Sequence, residues 1–204
     1  MPPNRPTRAE RAAQTRDELL EAAARVFARK GYSGASVGDI AEEAGYTHGA
    51  VYSQFRNKQD LYFALYERTT SRRAEAIAGV FVAAEGSLRE RMRAVTEWSM
   101  VDLREHPEWF LLHMEFLFAA ARDPEIRARF SEGARTIRAM MAALMQHELD
   151  SGTFRSDMSA EDMALGLNGI FLGLALQHVM EPGIVRTDLY GDIVTLVMDA
   201  LSPS

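Results

Sequence analysis

Cysteine is missing from all 204 residues of this chain, which excludes disulfides, thiolate metal sites and cysteine nucleophiles. No run of about 18 consecutive apolar residues occurs, so no transmembrane helix and no membrane partner are expected. Strand-like alternation of period two is also missing. The first residues, MPPNRPTRAERAAQTR, hold no apolar stretch and do not read as a secretory signal. His106, His147 and His178 are scattered without metal-ligand spacing. There is no catalytic triad, no phosphate-cradling glycine loop and no convincing carboxylate pair. The sequence therefore predicts a cytoplasmic protein that is not an enzyme and uses no metal or cofactor.

Positive charge is in deficit, with 23 Lys/Arg against 29 Asp/Glu and a net charge of −6. Alone, that argues against nucleic acid as a partner. Its distribution points the other way. Residues 1–60 carry nine Lys/Arg and eight Asp/Glu, whereas residues 61–204 carry fourteen and twenty-one. Near the start, Arg5, Arg8, Arg11 and Arg16 face a single acid, Glu10. Such an arm can track phosphates or enter a minor groove, and over residues 1–8 a solvated flexible tail fits equally well.

What is present is helical periodicity, and the expectation is an all-α protein of about nine helices. Leu19, Leu20, Ala23, Val26 and Phe27 recur at helical spacing in a first helix that starts near residue 8 or 15 and ends at Gly31. Asn57, Ser87 and Ser159 (with Asp162 three residues on) are placed to cap later helices, and Pro107 and Pro124 mark two further boundaries. The last helix is expected over residues 188–201.

The most informative stretch is SVGDIAEEAGYTHGAVYSQFRNK, residues 36–58. A short segment with Val37, Ile40, Ala41 and Ala44 runs into Gly45, where a helix end requires positive φ. Thr47 supplies a hydroxyl cap for a second short helix whose inner face is Val51 and Phe55. Two helices joined through a tight glycine corner form a helix-turn-helix, whose second helix enters the DNA major groove. Gly49 allows close backbone approach to DNA or is a poor helix former tolerated near a helix start. Tyr52 suits a phosphate oxygen or a half-buried packing role. Ser36 and Thr47 stand at helix N-termini that face anions naturally. Lys58 sits in a first turn, where its charge opposes the helix dipole and a phosphate partner explains the placement.

From about residue 15 to 65 the chain resembles the DNA-binding domain of the tetracycline-repressor family of regulators. The match runs through Ala22, Ala23, Phe27 and Gly31, then Asp39-Ile40-Ala41, Ala44-Gly45, Gly49, Val51-Tyr52, Phe55 and Lys58. Gly38, Tyr46 and Gln54 depart from the usual pattern and leave the operator open. The resemblance implies base contact at His48, with Ala50, Tyr52 and Ser53 nearby and Lys58 on the DNA backbone. It also implies a homodimer on a double-stranded DNA operator and a small-molecule effector.

Behind this head lies the larger apolar part. The stretch Trp109 to Phe118 is apolar almost all round, so a helix there is expected to be buried on several sides. With flexible methionines nearby it suits an adaptable pocket, although any one of these residues can equally be plain core. The expected ligand residues are Trp98, Phe110, His113, Met114, Leu117, Met141, Met145, Asn168 and Phe171. Gly166, Gly169 and Gly173 form one stripe of the penultimate helix and permit close helix approach. The resemblance places the dimer contact on the last two helices, through Leu165, Leu172, Leu176, Val179, Leu189, Ile193, Leu196 and Val197. The expected domains are a helix-turn-helix unit over residues 1–56 and an effector-binding, dimerising bundle over residues 57–204. The expected function is a sequence-specific repressor released from a palindromic operator by a small apolar or amphipathic ligand. Two alternatives stay open, a DNA-binding regulator without an effector and a ligand-binding bundle without a DNA function.

Overall fold

Nine α-helices and no strand make up residues 7–154 and 157–201, which the computed structural model describes. In chain order they are α1 (Arg8–Gly34), α2 (Val37–Ala44), α3 (His48–Gln54), α4 (Lys58–Ala83), α5 (Leu88–Glu105), α6 (Pro107–Arg122), α7 (Pro124–Asp150), α8 (Ala160–Met180) and α9 (Leu189–Leu201). Boundaries fall where the side chains dictate. Thr7, Ser36, Thr47, Asn57, Ser87 and Ser159 each accept the backbone N–H three residues on, a contact worth about 1 kcal/mol per helix. Pro107 and Pro124 take the first positions of α6 and α7, where a missing N–H costs nothing. Of the basic arm, Arg5 lies outside the described residues. Helix α1 opens at Arg8, the earlier of the two expected starts, with Thr7 as its cap, so the flexible-tail alternative does not extend to these two residues.

Two of the third-position acids are held well below the ordinary carboxylate range. Lys30, then Ser36, keeps Asp39 at about 2 by hydrogen bonding, and Arg56 does the same for Asp60 at about 2. Both carboxylates therefore stay charged at any physiological pH.

One core joins Leu19, Phe27, Ile40, Val51, Phe55 and Leu61 with Phe116 of α6 and Phe130 of α7. A second gathers Met100, Phe110, Met145, Ala164, Tyr190 and Val194. The first core thus continues past residue 57 and takes in the inner faces of α6 and α7.

Helix α6 is buried on several sides, as expected, but not all round, because Leu111 and Phe118 are 49% and 58% exposed. It packs on α1, α5 and α7, and an outward stripe remains. Helix α8, despite the expectation of no membrane-length segment, is long and apolar enough by length and composition to cross a bilayer. Its uncharged stretch escapes a run-of-apolar test because Asn168, Gln177 and His178 interrupt it.

Candidate DNA interface and effector cavity

The corner of the helix-turn-helix is built as its sequence requires. Gly45 has φ 71° and ψ 26°, and its N–H reaches the carbonyls of Ala41 and Glu42. Any other residue there would be strained. Tyr46, a departure from the small aliphatic expected, donates its hydroxyl to Glu18 at 2.5 Å and so ties the corner to α1. Arg16 donates to the carbonyl of Gln54 and lies over the Phe55 ring at 4.4 Å. It closes the C-terminus of α3, where a cation is favoured, and is thereby taken out of the basic arm.

On α3 the outward residues are His48, Gly49, Tyr52 and Ser53, with Ala50 half-buried. Tyr52 is 55% exposed, so much of its ring and hydroxyl is accessible from outside. Val51 and Phe55 are buried, as expected of core residues. The hydroxyls are partly committed within the chain. Ser36 both accepts from Asp39 N and donates to its carboxylate, Thr47 accepts from Ala50 N, and Ser53 donates to Ala50 O.

Lys58 has partners within the chain. Its ammonium donates to the carbonyls of Tyr32 at 2.8 Å and Ala35 at 2.9 Å and stands 4.5 Å from the centre of the Tyr32 ring. Carbonyls left open at the end of α1 explain the cation in this first turn without a phosphate.

Gly38, another departure, has a local reason. A methyl group there would stand 2.9 Å from His48 Nε2, so the missing side chain makes room for the imidazole on α2. At Gly49 the nearest contact of such a methyl would be an ordinary 3.8 Å, to Thr47. Among the described residues nothing requires glycine at 49.

The head is joined to the bundle through a break in α1. Gly31 has φ 67° and ψ 171°, a region open essentially to glycine alone. The Tyr32 N–H freed by that break donates to the Glu115 carboxylate of α6 at 2.6 Å. Beside it Tyr62 stacks on Phe116 with ring centres 3.9 Å apart and donates to Leu112 O. Sequence spacing showed only that Glu115 and His113 are not a pair; the partner 83 residues away leaves no local signal.

The opposite face of α6 lines a cavity of about 260 Å³ enclosed by α4 to α9. Of the expected ligand residues, His113, Leu117, Met141, Asn168 and Phe171 line it. Trp98, Phe110, Met114 and Met145 do not. Phe110 and Met145 are core, Met114 packs beside them, and Trp98 flanks Arg73. Tyr66, Thr70, Arg73, Thr96, Ser99, Arg138 and Tyr190 line it as well, and sequence reasoning missed them because a polar group on a helix does not show by itself whether it faces a void. Arg73 pairs with Asp102 and lies 4.4 Å from the Trp109 ring centre. Burial, then the charge of Arg73, lowers His113 to about 4, so it is neutral near pH 7. Burial likewise pushes Tyr66 up to about 12. An outer hollow of about 510 Å³ between α1, α4 and α6 shares Tyr66, Arg73, Trp109 and His113 as a common wall. Among the described residues no group of three or more acids and histidines is placed to hold a metal.

Helices α8 and α9 leave an apolar face outside. Leu165, Leu176, Leu196 and Val197 are 55%, 42%, 68% and 37% exposed. A methyl group at Gly166, Gly169 or Gly173 would meet nothing within 4 Å. Val179, Leu189 and Ile193 are half-buried. Leu172, expected on this face, turns inward and lines the cavity.

A bihelical DNA reader capping an all-helical bundle defines a DNA-binding regulator. Sequence comparison narrows this further. The family model for bacterial regulatory proteins of the tetR family matches residues 19–65, and that for the C-terminal part of BetI-type transcriptional repressors matches residues 88–201. The chain belongs to the TetR family of transcriptional regulators. It is 33% identical over 146 residues to the HTH-type transcriptional repressor AcnR of Corynebacterium diphtheriae, covering 70% of each chain. With AcnR of Corynebacterium efficiens it shares 30% over 159 residues, 78% of this chain and 79% of that one. Its fold is that of FadR from Bacillus subtilis, solved in complex with stearoyl-CoA, with a TM-score of 0.73, 18% identity and coverage of 89% and 96%.

Proposed function

We propose that this regulator is a homodimeric, cytoplasmic repressor without enzymatic activity, released from a roughly palindromic operator by a small ligand in the α4–α9 cavity. Residues 1–56 serve as the reading head and residues 57–204 as the sensing and dimerising unit. The observation that carries the reading is the two-sided placement of α6. His113 and Leu117 face the cavity while Glu115, between them in sequence, holds the Tyr32 N–H of the head. A ligand that prefers one seating of α6 shifts the head by its differential affinity for the two seatings. The relatives named as repressors and the acyl-CoA bound by the FadR neighbour support repression and ligand response in the same direction.

His48, Gly49, Ala50, Tyr52 and Ser53 present the reading surface, with the Ser36 and Thr47 helix ends beside it. Gly38→Ala tests the part assigned to His48. The helix gains propensity, by about 1 kcal/mol, while the imidazole is displaced. The melting temperature is expected to hold or rise as operator affinity falls about tenfold, the worth of one good base contact. Unchanged affinity in a fluorescence titration would take His48 off the reading surface.

Dimerisation is assigned to the exposed leucines and the glycine stripe of α8 and α9, which also account for the membrane-like hydropathy of α8. Leu176→Arg is expected to yield monomers in sedimentation and to weaken operator binding about 100-fold or more, since the second head no longer binds at high effective concentration. A variant that sediments as a dimer with full affinity would place the interface elsewhere.

A further inference from the structure

We propose that the cavity receives an apolar molecule bearing one negative charge, seated against Arg138. The inference rests on the reading of this cavity as the effector site. Its wall includes two cations and no carboxylate. Arg73 is balanced by Asp102 and covered by Trp109. Arg138 is half-buried on α7, and among the described residues no carboxylate lies within ion-pair distance of its guanidinium. It also borders the outer groove of α7 and α8, where Glu161 and Asp162 stand. Neither pairs with it, and Asp162 is occupied by the Ser159 hydroxyl. Neutral His113 adds no further positive charge.

One positive charge is therefore left unbalanced beside walls such as Ile77, Leu117, Met141 and Phe171. A partly desolvated guanidinium favours an anion that takes its forked donors. His113 Nδ1 is buried on the same wall with no partner in hydrogen-bonding geometry, and Thr70 Oγ1 has only the Tyr66 hydroxyl close to it, leaving polar positions for the body of the ligand. A volume of about 260 Å³ is at the small end of ligand pockets, which run to about 300–1,000 Å³. It suits a carboxylate on one ring or a short chain, and is too small for a nucleotide conjugate.

Three probes of one shape and different charge test this: 4-phenylbutyrate, 4-phenylbutyramide and 4-phenylbutylamine, each titrated into the full-length protein in melting and calorimetric experiments. The carboxylate is expected to bind about tenfold tighter than the amide, with the amine weakest. Arg138→Gln is expected to remove that advantage and leave amide affinity unchanged. An amide or amine that binds as well as the acid, or an acid affinity indifferent to Arg138→Gln, overturns the proposal. So does loss of the dimer in sedimentation of ligand-free Arg138→Gln, which would assign the guanidinium to a partner subunit. If none of the probes shifts melting or operator binding, the effector-site reading itself fails and the proposal with it.

Discussion

Gly31→Val is expected to lower the melting temperature by about 10 °C. At φ 67° and ψ 171° a non-glycine residue costs about 1–3 kcal/mol, and a β-branched one is at the upper end. The added Cβ would also stand 2.6 Å from Glu115 Oε1. The carboxylate is flexible and can move, but moving it breaks the Tyr32 N–H contact, and a hydrogen bond to a charged group contributes about 1.5–3 kcal/mol. Together these amount to about 3–5 kcal/mol, or about 10 °C for a chain of this size. Differential scanning calorimetry reads the loss directly. A shift below about 2 °C would mean that neither the break nor the α6 contact is formed in solution.

Lys58→Met is expected to destabilise the DNA-free protein by about 2–4 kcal/mol, less than the full sum of two hydrogen bonds made by an ammonium and one cation–π contact because the site is half-exposed. Methionine keeps the apolar stem, so the loss isolates the charged end. It leaves the carbonyls of Tyr32 and Ala35, half-enclosed at the end of α1, without their donor. A role on DNA phosphate makes a different forecast, with melting unchanged and the logarithmic salt dependence of operator binding flattened by about 1. Melting curves without DNA and a salt titration with it separate the two roles. An unaltered melting temperature would return Lys58 to the DNA surface.

What could be seen in the sequence was whatever is encoded within a few residues. Gly45, Thr47 and Asn57 declare their turns and caps because the backbone demand and the residue that meets it are neighbours. The inner face of the helix-turn-helix follows from a helical period of about 3.6. Lys58 and Glu115 defeated that approach, since their partners at Tyr32 and Ala35 lie 23 to 83 positions away. Lys58 looked like a misplaced charge only because its acceptors belong to another helix. The cavity shows the same limit. Apolar residues of α6 and α7 were recognised, but periodicity does not tell which of them face a void, so Phe110 and Met145 proved to be core and Leu172 turned inward. Arg73, Arg138 and Tyr190 carried no local signal of a cavity, which exists only once six helices close around them. The unpartnered leucines of α8 were legible as apolar, and their exposure emerged only from the fold.

Footprinting of the DNA flanking the chain's own coding region, at two salt concentrations and single-base resolution, bears most directly on the proposal of a dimeric, sequence-specific repressor. Two protected major-groove patches related by a dyad are expected, with centres about 34–36 Å apart or a multiple of that, and affinity should fall steeply with salt. Protection without a preferred sequence, or a single patch with no symmetry mate, would contradict it.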